Sequence, residues 1–584
     1  MMDTFPDDVQ KRIQVWLHST IDENTKETIR QLQASNPQGL ADAFSTDLSF
    51  GTGGMRGLMG VGTNRLNVYT IRIATAGLAH YLRRQFQKKP ISVVIGFDSR
   101  HHSEEFAQEA ARVLAAQNIH VFLLRAIRPV PFVSFLCRFK NANAAIMITA
   151  SHNPAEYNGY KVYWQDGAQV VHPHDQGIVD EVQKIKSLEQ VLASLDDPEV
   201  ERVGKEVDPE YIHALRPLQH FPDANHQYGW KVHIVYTPLH GTGITLAPQA
   251  LADWGFSKIS LVQKQAVPDG NFPTVHYPNP EYPEALQLGT ALLQKANADL
   301  LIANDPDADR IGVVAMHHGS PVRLNGNEMA ALCAEFICAS LQKQRRLPKR
   351  GALVTTIVST ELIREIAHSY GLAFFEVLTG FKYIGEKIHE WEISPNSYAF
   401  LFGAEESYGY LIGTHARDKD AIAMSCLVAE MALQAKLQGK TLRDHLFAIY
   451  EKYGVFREME QSLVFDATQE HLTHIQQMME ELRKHPPQEI MNIPVLYTED
   501  YLTLLRTYAD GRPQEKLTLP SSNVLVLRLQ DQSRIVVRPS GTEPKLKLYG
   551  STRDKNKGSI QERCSQLDQK LNLLIRDVKS YIHS

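Results

Sequence analysis

The chain has 584 residues, 43% hydrophobic and 22% charged, with a formal net charge of -5. At roughly 150 residues per domain, that length and balance predict about four folded domains. No basic run offers a face to nucleic acid or an anionic membrane, and no apolar run is long enough to cross a bilayer, so neither partner is expected.

The opening segment MMDTFPDDVQKR is acidic and lacks an apolar signal core. The five cysteines (Cys137, Cys333, Cys338, Cys426 and Cys564) are odd in number, and no pair has zinc or redox spacing. Both features predict a cytoplasmic protein with buried, reduced thiols.

Apolar residues around VWLHSTIDENTKETIRQLQ recur at helical spacing, so the first forty residues read as helix. A glycine-dense loop follows, FGTGGMRGLMG. Strand and helix then alternate: ISVVIGFD (91–98), a helix over SEEFAQEAARVLAAQ, then IHVFLL and NAAIMITA. The alternation returns with KVHIVYTP (231–238), KISLV, a helix over YPEALQLGTALLQKA, and ADLLIAN. It returns again with GALVTTIVS (351–359), a helix over TELIREIAHSYG, and YAFLFG. Such alternation predicts α/β domains with mixed, largely parallel sheets covered on both faces. After about residue 455 the pattern changes to helical TQEHLTHIQQMMEELRK and short strands such as NVLVLRL and RIVVRP. The expected division is three α/β domains (1–206 with the helical extension, 207–321 and 322–455) and a smaller C-terminal α+β domain (456–584).

Ligands of open parallel sheets meet the loops at the carboxyl ends of strands. Four loops there carry chemistry. TASHNPAEYNGYKVY (149–163) places Ser151 at a strand end beside His152, where a serine is either a nucleophile or the cap of a following helix. Lys161, ten residues on, is a proton donor, a phosphate ligand or a solvated lysine. NDPDADR (304–310) alternates Asp305, Asp307 and Asp309, so three carboxylates converge on one hard cation or form a solvated turn. It is not an EF-hand loop: Arg310 and Met316 stand where glycine and glutamate are required. Three carboxylates and one phosphate oxygen suit Mg²⁺. FGAEESYGY (402–410) alternates Glu405 and Ser407, acceptors suited to vicinal sugar hydroxyls, and RDKD with Lys419 follows. RPSGTEPKLKLY (538–549) offers Arg538, Ser540, Gly541, Thr542 and Lys547 to a phosphate dianion, or else forms a hairpin turn. GTGGMRG lacks the third glycine of a dinucleotide fingerprint, and GKT (439–441) lacks the upstream glycine of a P-loop.

With TASHNP, DPDADR, EES and RPSGT in this order, the chain resembles the α-D-phosphohexomutase superfamily, the phosphoglucomutase/phosphomannomutase group, from about residue 45 onward. VYTPLHGTG (235–243) and TGFKYIG (379–385) resemble the long-chain bacterial branch, which includes phosphoglucomutases and is akin to phosphopentomutases. Ala404 departs from the glycine that many relatives have before the glutamates. The resemblance implies four domains lining one central cleft and a phosphosugar mutase working through phosphorylated Ser151. It implies Asp305, Asp307, Asp309 and the Ser151 phosphate around Mg²⁺, with Arg56, His152 and Lys161 serving the reaction. Arg100, Arg310, Thr379, Gly380, Glu405, Ser407 and Lys419 would hold the substrate. Arg538, Ser540, Gly541, Thr542 and Lys547 would grip the phosphate that is not being transferred.

The expected reaction interconverts glucose 1-phosphate and glucose 6-phosphate through a glucose 1,6-bisphosphate that turns end for end. Mannose or pentose phosphates are the alternative substrates, and the protein is expected as a monomer or homodimer. A metal-dependent sugar phosphatase and a non-catalytic sugar-phosphate-binding protein are the competing readings.

Overall fold

The computed structural model describes residues 5–50, 54–87, 89–191, 200–465, 469–540 and 545–583. The chain folds into two compact units: Met1–Leu324, Ile384–Pro395 and Ser407–Leu437 form the first, and Asn325–Tyr383, Asn396–Glu406 and Gln438–Ser584 the second.

The first unit opens with three helices rather than one: Asp7–His18, Glu23–Ser35 and Pro37–Ala43. Asp22 and Asn36 divide them. Each side chain accepts from the amide three residues on, Thr25 and Gly39, and so starts a new helix. The apolar stripes bury Ile13, Trp16, Ile29, Leu40 and Phe44 against Tyr69.

A six-stranded sheet follows, in the order Gly54–Leu58, Tyr157–Trp164, Ala144–Ile148, Ser92–Phe97, His120–Leu124, Val200–Val203. The last four run parallel, while Tyr157–Trp164 is antiparallel to both its neighbours. A five-stranded sheet has the order Ser320–Leu324, Ile311–His317, Leu300–Asn304, Ile234–Thr237, Ile259–Leu261. Here too an antiparallel hairpin is added to a parallel set. Both sheets are therefore mixed. The turns around Ser151 and Asp305–Asp309 leave the carboxyl ends of fully buried strands in the two sheets, Ala144–Ile148 and Leu300–Asn304.

The first unit also takes in Ser407–Leu437, which lies within the third span expected from sequence. Helix Ala421–Leu437, AIAMSCLVAEMALQAKL, is apolar around nearly its whole circumference, and most of it is buried. Its buried Glu430 accepts hydrogen bonds from the amides of His220 and Phe221 and from Asn225 Nδ2, which satisfies an otherwise costly carboxylate.

The second unit carries parallel strands Ala373–Val377, Gly351–Thr356 and Ala399–Glu405. Helix Gly326–Lys343 covers them, opened by the reciprocal cap of Asn325 and Glu328. The C-terminal part is a mostly antiparallel sheet with long strands Val455–Val464 and Lys545–Asp554 at one side. Helices Gln469–Lys484 and Ile560–His583 lie on a core of Met479, Leu527, Ile535, Leu548 and Leu574. A second core joins this sheet to the parallel one: Ile357, Val358 and Leu378 pack with Tyr501, Val526, Val536 and Tyr549. The two sheets thus share a continuous interior. No described helix is long and apolar enough to cross a membrane.

Candidate active site

Ser151 sits three residues beyond strand Ala144–Ile148 and begins no helix; the chain turns and enters strand Tyr157–Trp164. Its φ of 55° is a left-handed conformation that a β-substituted residue rarely adopts. Several partners hold it there. The Ser151 amide donates to Thr149 Oγ1 (2.8 Å), and Arg100 Nη2 donates to the Ser151 carbonyl (2.7 Å). The same guanidinium also donates to the carbonyls of Asn153, Pro154 and Tyr157. Arg100 is 4% exposed, and its Nε lies 3.3 Å from Asp98. Arg100, expected from sequence among the substrate-holding residues, has its fork directed to the backbone of the serine turn. Arg56 Nη1 donates to Asn153 Oδ1 (3.0 Å), on the same turn.

The Ser151 hydroxyl donates to Asp305 Oδ2 at 2.9 Å and lies 3.1 Å from His152 Nδ1. Burial, then Arg310 and Arg56, hold His152 well below the ordinary histidine range, so its imidazole is neutral.

Asp305, Asp307 and Asp309 are all buried, and each offers a carboxylate oxygen within 4.8 Å of the others. The turn is fixed locally: Asp305 Oδ1 accepts from the amides of Asp309 (3.1 Å) and Arg310 (2.9 Å), and Ala308 takes φ 51°. Lys161 Nζ lies 2.9 Å from Asp307 and 3.2 Å from Asp309; Lys419 Nζ lies 3.2 Å from Asp309. Burial pushes the Asp305 carboxyl well up, and its two acidic neighbours add to that shift. Burial acts the same way on Asp309, but Lys419, Lys161 and Arg310 outweigh it and hold this carboxyl well below the usual range. Asp307 Oδ1 and Asp309 Oδ1 are buried without a hydrogen-bond partner among the described residues. Buried carboxylate oxygens without a partner among the described residues, on three acids whose oxygens approach within 4.8 Å, are what a hard divalent cation requires, so these residues fit Mg²⁺.

Several supporting residues were absent from the sequence-based site. Thr149 Oγ1 is within reach of both Asp98 Oδ2 (2.6 Å) and Asp307 Oδ2 (3.2 Å), so it joins the serine turn to the acidic turn. Its signal was its place in the TASHNP loop. Gly241 lies against the acidic turn from VYTPLHGTG: an added Cβ would come within 2.2 Å of Pro306 Cα. Thr242 donates its amide (2.7 Å) and hydroxyl (2.9 Å) to the Pro306 carbonyl. Asp418 accepts from Lys419 Nζ (2.8 Å) and from the Tyr163 hydroxyl (3.0 Å), which orients the lysine. Arg310 pairs with Glu281, and the next amide, Ile311, donates to the Tyr408 carbonyl (3.1 Å), beside Ser407.

The remaining expected residues belong to the second unit. Glu405 is buried and accepts from the Gly380 amide (2.9 Å), with Gly380 at φ 123°. Thr379 Oγ1, next to it, is buried with no hydrogen-bond partner among the described residues. Glu406 accepts from the hydroxyls of Thr356 (3.2 Å) and Ser359 (3.1 Å). Burial, then Glu405 and Glu460, push its carboxyl up to about 7. Arg538 and Lys547 stand opposite each other on strands Arg534–Pro539 and Lys545–Asp554, and Lys547 pairs with Glu460 at 2.7 Å. The Ser540 amide donates to the Lys545 carbonyl (2.8 Å); Gly541 and Thr542 lie outside the described residues. Of the expected set, Ser151, His152, Lys161, Asp305, Asp307, Asp309 and Lys419 form one cluster within the first unit.

The geometry and the relatives define an enzyme of the isomerase class that moves a phosphoryl group within its substrate. The description phosphoglucomutase/phosphomannomutase, alpha/beta/alpha domain I, matches residues 47–189; domain II of the same description matches 209–319, and domain III matches 325–453. A phosphoglucomutase of Staphylococcus aureus (strain MSSA476) is 37% identical over 531 residues, covering 90% of this chain and 93% of its own. That of strain MRSA252 is 37% identical over 545 residues, covering 91% and 93%. Among solved structures, the open form of the pp63/parafusin phosphoglucomutase of Paramecium superposes with TM-score 0.67 at 17% identity, covering 91% of this chain and 95% of its own. A phosphoglucomutase/phosphomannomutase family protein of Burkholderia thailandensis gives 0.62 at 18%, covering 91% and 97%. The chain belongs to the phosphoglucomutase/phosphomannomutase family, within the α-D-phosphohexomutase superfamily.

Proposed function

We propose that this enzyme interconverts glucose 1-phosphate and glucose 6-phosphate, with Ser151 carrying a phosphoryl group and glucose 1,6-bisphosphate as the intermediate. The observation that carries the reading is the Ser151 hydroxyl 2.9 Å from Asp305, inside a buried triple-aspartate cluster. The Staphylococcus aureus phosphoglucomutases, 37% identical over nine-tenths of this chain, support glucose as the sugar.

Asp305, Asp307 and Asp309 would hold Mg²⁺, which when bound offsets negative charge on the transferring phosphoryl group. The protein's own groups supply positioning. The Ser151 turn is fixed by Arg100 and Thr149 before substrate arrives. In the forward step, a sugar hydroxyl attacks the phosphorus of phospho-Ser151. The P–Oγ bond breaks with its electron pair going to Oγ, and the proton lost by the sugar hydroxyl is matched by one gained at Oγ. His152 Nδ1, 3.1 Å from Oγ, is the residue suited to move that proton. Burial lowers Lys161's affinity for its proton, but Asp307 and Asp309 reverse that and keep the ammonium charged. Lys161 therefore supplies positive charge beside the acidic cluster and, with His152, is a candidate for proton transfer. Lys419, oriented by Asp418, adds a second positive charge.

Arg538, Lys547, Ser540, Gly541 and Thr542 would grip the phosphate that stays in place. Glu405, Ser407, Thr379 and Gly380 would hold sugar hydroxyls, for which buried Glu405 and the unpartnered Thr379 hydroxyl are suited. A bisphosphate that binds in two opposed orientations needs simple acceptors of this kind. Five buried cysteine thiols support a reducing, cytoplasmic setting.

The test is a coupled assay with magnesium across glucose, mannose, glucosamine and ribose 1-phosphates, with phosphate release read in parallel. Isomer formation fastest from glucose 1-phosphate is expected. Inorganic phosphate without isomer would replace the mutase with a phosphatase.

A further inference from the structure

The second unit contains a cavity of about 250 Å³ between its parallel sheet and its C-terminal sheet, at a place no expected substrate contact occupies. Four arginines line it, Arg364, Arg506, Arg528 and Arg534, against two carboxylates, Glu376 and Glu499. Arg528 and Arg534 form its floor, with side chains 10% and 5% exposed; Arg364 and Arg506 form its mouth at 35% and 30%.

This concentration of charge is not required by the fold. Arg528 and Arg534 stand directly opposite each other on adjacent antiparallel strands, where like charges destabilise a sheet. Four acids match that charge in number, Glu515 pairing with Arg506 at 2.7 Å beside the three that follow. Glu361 takes Arg528 through both oxygens (2.7 and 3.0 Å), Glu376 takes Arg534 (3.2 Å) and Arg364, and Glu499 takes Arg506 (2.6 Å). A donor is still left over: Arg528 is 9% exposed, and its Nε is buried without a hydrogen-bond partner among the described residues. At the mouth, the Arg506 guanidinium lies 4.9 Å over the Tyr497 ring, which holds its fork in place.

We infer that this cavity is a second anion site, separate from the reaction centre, that takes a small phosphorylated ligand. A phosphoryl group offers several acceptor oxygens to guanidinium forks and would give the buried Arg528 Nε a partner. The site would clamp the parallel sheet to the C-terminal sheet, because Ile357 and Val526, which pack in their shared core, also line the cavity. Ligand binding there would stabilise the second unit by mass action.

The test titrates metal-free protein with inorganic pyrophosphate by calorimetry, in an Arg538→Ala chain to weaken the other anion loop. Saturable binding is expected, and adding Arg506→Gln, or independently Arg364→Gln, should weaken it at least about tenfold. Crystals of the same chain should show pyrophosphate density between Arg506 and Arg528. Arg506→Gln alone should leave mutase turnover within about twofold of the parent, since it touches no part of the reaction centre. An absence of binding, or binding that neither arginine variant alters, would overturn the inference and leave the arginines as an internal ion-pair network.

Discussion

The serine region of the first unit and the Arg538 region of the second differ in how much of their geometry is fixed in advance. Ser151, Asp305, Asp307 and Asp309 are at most 3% exposed; Arg100 fixes the serine turn, and Thr149 and Lys161 join it to the acidic turn. Arg538, Ser540 and Lys547 are only half-buried, and Lys547 is paired with the exposed Glu460. The contrast fits the two tasks proposed for these regions. Phosphoryl transfer gains most from groups that do not reorganise, whereas an anion that must be bound, released and bound again is better met by accessible charges.

Perturbing the fixed region should cost most. Ser151→Ala should lower turnover by roughly 10⁴-fold or more, as loss of a covalent nucleophile does, and remove the phosphate from the mass of the purified protein. Asp307→Asn removes one anionic oxygen from the cluster but keeps its shape; turnover should fall on the order of 10³-fold and saturation should need more magnesium. Kinetics across a magnesium series check both effects. Arg538→Ala touches the accessible region, so it should chiefly raise KM and lower kcat/KM roughly 10²-fold, with phosphate still found on Ser151 by peptide mass spectrometry.

The smallest effect concerns stability. Glu406 is pushed up to about 7 from an ordinary value of 4.5, so the folded chain keeps its proton where the unfolded chain has lost it. Stability supported by the neutral group is complete below pH 4.5 and is lost as pH rises through about 7. Urea unfolding of the second unit should weaken across that window by an amount on the order of 2 kcal/mol, and Glu406→Gln should flatten the dependence. An unchanged slope in the variant would remove Glu406 as its source.

The strands that end in chemistry were legible because each is a short apolar run followed by a polar turn with its own pattern: NAAIMITA before Ser151 and ADLLIAN before Asp305. Their antiparallel partners, Tyr157–Trp164 and Ile311–His317, were less visible. Their hydrophobicity is that of any buried strand, and direction is set by the sheet they join. Local caps divided the N-terminal helix at Asp22 and Asn36, a signal present in the sequence but overridden by the longer apolar period. Arg100 could not be assigned from sequence, since an arginine after a strand looks the same whether it meets a substrate or four carbonyls. Nor could the membership of Ser407–Leu437 in the first unit be read, because it depends on what helix Ala421–Leu437 packs against rather than on its own pattern. The C-terminal helix Ile560–His583 and the joined core of Ile357, Val526 and Tyr549 are likewise products of tertiary packing.

The central claim is that Ser151 lends its phosphoryl group to the sugar and recovers one. A single-turnover chase tests it most directly: enzyme carrying a radiolabelled phosphate is mixed with excess unlabelled glucose 1-phosphate and quenched over milliseconds. The account predicts that label leaves Ser151 for glucose 1,6-bisphosphate and then appears in glucose 6-phosphate. Label that remains on the protein through many turnovers, or leaves as inorganic phosphate, would contradict it.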